Sequence, residues 1–196
     1  GPAIFCHLED TLPRSQYGRN QPFVLGARGP LAPLGIRRPR HSPQSKMDEP
    51  FVTLLAQRMT VAGLSDVGLR RSHNEDGFGI RDDLGLILVA DGMGGHGDGA
   101  QASAMAIKEI FRFIEDCTLG QPSTPNIRSI IQSAVEGANK AIYEINRERQ
   151  RHDGTGMGTT VVGMWVLEDS DRCAVFSVGD SRLYRIRQGV CAQVTR

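Results

Sequence analysis

The strongest apolar signal in the chain is an unbroken run from Leu86 to Ala90. A run without polar alternation is typical of a strand that is buried on both faces of a sheet. The run ends at Asp91, and five glycines follow within the next eight residues. A carboxylate at the end of a buried strand is costly unless it has a binding partner. Since magnesium and manganese prefer carboxylate and carbonyl oxygens, this pattern favours a divalent-metal site.

Two amphipathic helices are predicted after this run. Apolar side chains recur every three or four positions in residues 100–116 and again in residues 126–149. The first stripe consists of Ala104, Ile107, Phe111 and Ile114. Asn126 stands where its side chain can cap the second helix. Two consecutive helices argue against alternating βαβ units.

Shorter apolar segments predict strands joined by short turns. These segments are residues 52–55, 61–64, 78–80, 86–90, 159–167, 172–178, 183–186 and 190–195. Consecutive strands joined by short turns pair antiparallel. The whole pattern therefore predicts an α+β layered sandwich built from antiparallel β-sheets and helices.

Residues 1–46 differ in composition from the rest of the chain. They hold seven of the ten prolines and seven Lys or Arg residues, against Glu9 and Asp10 as the acids. Neither helical nor alternating periodicity is visible, so we expect a disordered, basic, Pro-rich tail. The first methionine is Met47. The tail is therefore either a docking arm or sequence upstream of the native start, and we favour the second interpretation.

Composition excludes several classes of function. The chain has 23 Lys and Arg against 22 Asp and Glu, a net charge of +1, which gives no electrostatic argument for nucleic acid. No apolar run approaches about 20 residues, so membrane insertion is not expected. The cysteines are scattered and form no metal or disulfide pattern, which favours the reducing cytoplasm. They are Cys6, Cys117, Cys173 and Cys191.

Three acidic sites follow or precede predicted strands. They are the pair Glu75-Asp76, Asp91 before Gly92, and Asp180 in a turn. Each alone is common turn chemistry. Acids at strand ends around the same predicted sheets are harder to attribute to turns, so together they strengthen the prediction of a metal site.

A dinucleotide site is the competing interpretation, because Gly92–Gly97 matches the G-x-G-x-x-G fingerprint after a strand. Two features count against it. The following helix leads to a second helix, where a βαβ unit requires a strand. Asp91 also precedes the first glycine directly, where its charge would repel a pyrophosphate. We therefore favour metal over nucleotide.

Five short motifs resemble, in order and at sensible intervals, those of the metal-dependent serine/threonine protein phosphatases of type 2C (PPM), in their bacterial form. The motifs are Ser65-Asp66-Val67-Gly68, Arg71-x-x-Asn74-Glu75-Asp76, Val89-Ala90-Asp91-Gly92-Met93-Gly94-Gly95, Gly158-Thr159-Thr160 and Val178-Gly179-Asp180-Ser181-Arg182. The resemblance covers residues 62–196. It implies a layered sandwich of two antiparallel β-sheets flanked by helices (α-β-β-α). It also implies that residues 47–196 are the N-terminal portion of a catalytic domain, with the C-terminal part missing.

The resemblance also implies roles for individual residues. Asp91 would bridge two Mn²⁺ or Mg²⁺ ions, and Asp180 would sit near a third. Glu75 and Asp76 would hold metal-bound waters, while Arg71 would bind the substrate phosphate. The metal-site residues implied are thus Glu75, Asp76, Asp91, Gly92 through its carbonyl, and Asp180; Arg71 and Asp91 are the catalytic ones.

The function implied is hydrolysis of phosphoserine and phosphothreonine in proteins, by a water activated between two cations, opposing a cognate kinase. Some family members carry a histidine, a proposed general acid, at the position of Met93. The family also has further metal-binding aspartates, in a segment that would follow residue 196. In this sequence no Asp or Glu follows Asp180. We therefore expect an incomplete and weakly active chain. A non-catalytic pseudophosphatase that acts as a binding module is the alternative. Asn74 is expected to shape its loop, and Gly158-Thr159-Thr160 to be structural.

Overall fold

The structure is a computed structural model that describes ten stretches of the chain. They are residues 3–7, 23–26, 51–55, 59–69, 71–94, 97–119, 126–149, 151, 156–167 and 172–196. The predicted loop after the first helix falls largely outside them, in residues 120–125. Side chains are described from residue 59 onwards.

The described stretches form eleven strands and two helices. The strands are β1 Ala3–His7, β2 Phe23–Gly26, β3 Phe51–Leu55, β4 Met59–Gly63, β5 Asp76–Arg81, β6 Leu86–Met93, β7 Gly158–Thr159, β8 Val161–Val166, β9 Cys173–Val178, β10 Arg182–Arg187 and β11 Val190–Gln193. The helices are α1 Asp98–Thr118 and α2 Ile127–Glu148. Every predicted helix and strand is present, so the α+β class is confirmed.

The central sheet contains five strands, all paired antiparallel. Its order is β5-β6-β8-β9, and β7 also pairs with β6. Strand β6 is buried on both faces, as predicted. Leu86 and Leu88 pack against the helices, and Ile87 and Val89 pack on the opposite side. Burying both faces fixes the register, because a slip by one residue would exchange the two sets.

The helices α1 and α2 pack together on one face of this sheet. The buried side chains of α1 include Ala102, Ser103, Ala106, Ile107, Ile110 and Ile114. Ala104 is exposed, which contradicts its place in the predicted stripe: the contact row runs through Ser103 and Ile107 instead. Asn126 caps α2 as predicted, since its side chain accepts a hydrogen bond from Ser129 N–H at 3.3 Å. Neither described helix is long and apolar enough to cross a membrane.

The opposite face of the central sheet meets a second layer of strands. Val61 of β4 and Leu183 of β10 pack there against Ile87 and Val162. The second layer consists of the antiparallel hairpin β3-β4 and a four-stranded sheet of order β11-β10-β1-β2. Strands β10 and β11 are antiparallel, whereas β1 runs parallel to both β10 and β2. Within the described part of the chain, both helices cover the same face of the sandwich.

The N-terminal segment differs from expectation at two places. Residues 3–7 and 23–26 are strands, although residues 1–46 are predicted to be disordered. The sequence AIFC and the sequence FVL contain β-branched and aromatic residues, which favour strands beside an open sheet edge. The rest of residues 1–46 lies outside the described residues. The boundary at residue 47 stays a prediction.

Two glycines allow the packing of α1 on the sheet to be tested by opposite outcomes. A Cβ added at Gly79 would lie 2.4 Å from the Phe111 ring and 2.7 Å from Ile107. A Cβ added at Gly137 of α2 would have no neighbouring atom within 4 Å outside its own stretch of helix backbone. We expect Gly79→Ala to lower the free energy of unfolding by about 1–3 kcal/mol through overpacking. Gly137→Ala should raise it by about 0.5–1 kcal/mol through helix propensity. Urea denaturation measures both, and equal shifts would contradict this packing.

Candidate metal centre

Two aspartates face each other across the neighbouring strands β5 and β6. Asp76 and Asp91 are direct cross-strand partners in the β5–β6 register. Strand alternation puts Asp76 on the same face as Phe78, and Asp91 on the same face as Val89, towards the second layer. Directly opposed side chains have Cβ atoms about 4.5–5.5 Å apart. The register therefore holds two carboxyl groups together at the end of the core between the sheets.

Asp76 is held in an environment that disfavours its charge. Burial, then the adjacent Asp91 carboxyl, raises the pKa of Asp76 from 3.8 to about 6, while the positive charge of Arg71 opposes the shift. The Oδ1 atom of Asp76 is buried and has no hydrogen-bond partner. A proton shared with Asp91 would relieve this, and so would a cation. The chemistry of the pair therefore fits a hard divalent metal.

The cluster of acids is smaller than predicted. Among the residues that the structure describes, no three Asp, Glu, His or Cys side chains converge in a way that could hold a metal. Asp180 is exposed in the turn after β9, and it belongs to no such group. The structure thus brings Asp76 and Asp91 together and leaves Asp180 outside the pair. The metal roles of all the predicted residues stay predictions.

The segment before β5 is held by hydrogen bonds of the Asn74 side chain and of the Glu75 carbonyl. The Asn74 side chain donates to Ser65 Oγ at 2.7 Å and accepts from Asp76 N–H at 3.1 Å, which supports its loop-shaping role. The Glu75 carbonyl accepts from Gly92 N–H at 3.1 Å and from the Ser103 hydroxyl at 2.8 Å. This one carbonyl therefore joins the loop, the end of β6 and helix α1.

The Glu75 carboxylate lies against the start of α1. A Cβ added at Gly99 would be 2.7 Å from Glu75 Oε2, and a Cβ added at Gly92 would be 2.0 Å from the Gly99 carbonyl. Neither glycine can therefore be replaced without moving backbone or the acid. A carboxylate at the start of a helix interacts favourably with the helix dipole.

Arg71 and Met93 are exposed residues close in the chain to Asp76 and Asp91, respectively. Arg71 is exposed, and its charge reaches Asp76. Met93 is 60% exposed and cannot transfer a proton. His73 is exposed and its ring contacts Ser72 Oγ at 2.9 Å. Gly95 and His96 lie outside the described residues.

The topology contradicts the dinucleotide alternative. Strand β6 pairs antiparallel with β5, β7 and β8. The chain after β6 forms α1 and then α2, and among the described residues, which leave out 120–125, no strand lies between the two helices. A Rossmann unit needs a parallel βαβ crossover. The glycines after Asp91 therefore do not build that nucleotide site.

Thr159 and Thr160, which were expected to be structural, contact Asp91 itself. Thr160 Oγ1 accepts from Asp91 N–H at 3.0 Å, and Thr159 Oγ1 lies 3.1 Å from the Asp91 carbonyl. Ser181 Oγ lies 2.5 Å from Thr160 Oγ1. The only sequence signal for these contacts was that the three residues fall within the quoted motifs.

Comparison with known proteins decides the family. Residues 70–195 match the family model of Protein phosphatase 2C. The chain belongs to this family. The resemblance drawn from the five motifs is therefore confirmed.

Several phosphatase 2C relatives are similar over the same region. The serine/threonine phosphatase stp of Listeria monocytogenes serotype 4b (strain F2365) is 34% identical over 137 residues, 67% of this chain and 51% of that protein. The S. agalactiae serine/threonine phosphatase structure is 32% identical with a TM-score of 0.57, covering 67% of this chain and 53% of that one. The catalytic domain of PstP in complex with two manganese ions is 32% identical with a TM-score of 0.53, covering 65% and 51%. This chain thus spans about half the length of these relatives.

The acid pair should cost stability when no metal is bound. Because the folded-state pKa of Asp76 exceeds its unfolded value, the penalty is small at about pH 4, grows as the pH rises towards about 6 and is present in full above about pH 7. We expect Asp76→Asn to raise the free energy of unfolding of the metal-free protein at about pH 8. The gain should be on the order of 1 kcal/mol after allowance for solvent screening, and only a small part of it should remain at about pH 4.

Urea denaturation in chelator at both pH values measures this difference. The matched control is Asp116→Asn, since Asp116 is exposed on α1 and pairs only with Arg112, at 3.3 Å, among the ion pairs described. The control should show no such gain at pH 8. A destabilised Asp76→Asn protein at that pH would contradict the repulsion.

Proposed function

We propose that this protein hydrolyses phosphoserine and phosphothreonine in proteins, with a pair of divalent cations held at the Asp76–Asp91 end of the sandwich. The observation that carries the proposal is the half-buried carboxyl pair, in which Asp76 Oδ1 has no hydrogen-bond partner. Family membership supports the reaction class. The relative PstP, whose structure contains two manganese ions, supports the choice of Mn²⁺ or Mg²⁺.

The residues have separable tasks in this proposal. Asp91 would hold the ions, with Asp76 beside it and the Gly92 carbonyl as a further oxygen ligand. Bound divalent cations would lower the pKa of water and offset charge on the phosphoryl oxygens. Arg71 would bind and orient the phosphoryl group, because a guanidinium matches phosphate oxygens with paired hydrogen bonds. Glu75 and Asp180 would contribute outside the central pair, near ordered water and a third ion.

The proposed substrates are proteins that a serine/threonine kinase of the same cell has phosphorylated. Cys117, Cys173 and Cys191 are free thiols in the described part of the chain. Free thiols suit a reducing compartment, and we place the reaction in the cytoplasm.

Removal of the Asp91 charge tests the reaction directly. In the full-length protein with Mn²⁺ and a phosphothreonine peptide, we expect Asp91→Asn to lower kcat/KM by at least about 100-fold. Several kcal/mol of transition-state stabilisation would be lost with the metal ligand. Asp116→Asn is the matched control and should retain activity. Full activity in Asp91→Asn, or phosphate release that does not require a divalent metal, would rule out the proposal.

Arg71 should act mainly in substrate binding. We expect Arg71→Met to raise KM for the phosphopeptide about 10-fold with a smaller change in kcat, because a charge-assisted contact to phosphate is lost. Arg128→Met removes an exposed arginine from α2 and serves as the control. Steady-state kinetics separate the two parameters. An unchanged KM would remove Arg71 from the substrate site.

A non-catalytic binding module is the second candidate. It is favoured by the finding that no three potential metal-ligand side chains converge among the described residues. Such a module would bind a phosphopeptide without releasing phosphate. Calorimetric titration of the full-length protein with the phosphopeptide, beside the activity assay, distinguishes binding without turnover from hydrolysis.

A further inference from the structure

We propose that Thr160 is a positioning residue that sets the place of Asp91 and couples it, through Ser181, to the turn that carries Asp180. The contacts that define this arrangement do not depend on a metal. Its consequence for metal binding rests on the proposed function.

The strand ladder beside Asp91 departs from the normal pattern. The register on either side, with Gly92 opposite Thr159 and Val89 opposite Val162, places Asp91 opposite Thr160. Thr160 N–H donates to the Asp91 carbonyl at 2.9 Å, as in an ordinary antiparallel pair. The reciprocal bond does not go to the Thr160 carbonyl. Instead, Asp91 N–H donates to the Thr160 hydroxyl at 3.0 Å.

The Thr160 carbonyl is engaged by another group. Thr159 Oγ1 lies 2.9 Å from the Thr160 carbonyl and 3.1 Å from the Asp91 carbonyl, so its single proton is shared between them. A side-chain hydroxyl therefore replaces a backbone acceptor at the acidic residue. The position of the Asp91 peptide then depends on the rotamer of Thr160, which a ladder bond alone would not require.

The same hydroxyl reaches the turn after β9. Thr160 Oγ1 lies 2.5 Å from Ser181 Oγ, and Ser181 is only 2% exposed. The Thr160 methyl packs against Gly179: a Cβ added there would be 2.7 Å from Thr160 Cγ2, and Gly179 has a φ of 93°. Residues on both sides of Asp180 are thus fixed on Thr160. A shift of this turn is transmitted to the Asp91 peptide through one side chain.

This arrangement predicts a role beyond stability. Groups that orient a metal ligand typically change metal affinity 10- to 100-fold when they are removed. Loss of the hydroxyl frees the ladder to restore the backbone bond and so to move Asp91. Loss of the methyl leaves the hydroxyl bonds in place. The hydroxyl and the methyl can therefore be tested separately.

The experiment uses the full-length protein with Thr160→Val, Thr160→Ser, Ser181→Ala and the double variant Thr160→Val with Ser181→Ala. Calorimetry measures the Kd for Mn²⁺ alone, and amide hydrogen exchange measures protection of Asp91 N–H in chelator. We expect Thr160→Val to weaken Mn²⁺ binding about 10- to 100-fold and to speed Asp91 exchange. Thr160→Ser should rescue both to within about threefold of the natural protein.

Ser181→Ala should act in the same direction as Thr160→Val, and the double variant should be no worse than Thr160→Val alone, since both remove one linkage. Thr118→Val is the matched control: its hydroxyl donates to Ile114 O at 2.9 Å at the other end of α1. It should change neither measurement. Additive effects of the two substitutions would overturn the coupling.

Unchanged Mn²⁺ affinity and unchanged Asp91 exchange in Thr160→Val would overturn the positioning role. Failure of the proposed function gives a different result. If the natural protein does not bind Mn²⁺, the metal site is wrong. The exchange measurements on Thr160→Val and the double variant then still decide whether Thr160 positions Asp91.

Discussion

Two like charges held on neighbouring strands are the constraint on which this structure depends. Asp76 and Asp91 are opposed by the β5–β6 register, and that register cannot slip, because the side chains of β6 are buried on both faces. Strand pairing usually avoids directly opposed like charges. Here the hydrophobic core provides the free energy that keeps the two carboxyl groups together. A site of this kind stays poised for a cation or a proton, and either one relieves the repulsion.

The backbone around the pair is packed as closely as the core. Gly92 and Gly99 approach each other so that a Cβ on either would clash, and the Glu75 carbonyl joins both neighbourhoods through Gly92 N–H and the buried Ser103 hydroxyl. The end of β6 and the start of α1 are therefore packed directly against each other. Glycine is required at these two positions for space, and Gly92, the first glycine of the nucleotide fingerprint, serves close packing.

The features that could be predicted from the sequence are those that depend on residues close together in the chain. The run Leu86–Ala90 predicts a buried strand, and Asn126 predicts a helix start, because both follow from neighbouring residues alone. Ala104 was misplaced because alanine, being small and apolar, fits either side of a stripe. The hydroxyl of Thr160 could not be assigned, since its partners Asp91 and Ser181 are 69 and 21 residues away. Contacts at that separation are fixed by register, and register comes from the whole core.

The far end of α2 shows how distant residues stabilise the same strand end. Arg149 and Arg151 both pair with Asp98 in the first turn of α1, at 3.1 Å and 2.5 Å, and the Asp98 side chain is only 16% exposed. Asn146 accepts from Met157 N–H at 2.9 Å and donates to its carbonyl at 2.7 Å, just before β7 pairs with β6. Such ion pairs are weak when fully exposed, but partial burial limits solvent screening. These contacts come from the end of α2 and the residues just after it, and they stabilise both segments that flank the end of β6. The acidic end of the sheet therefore depends on contacts with the helices as well as on its own strands.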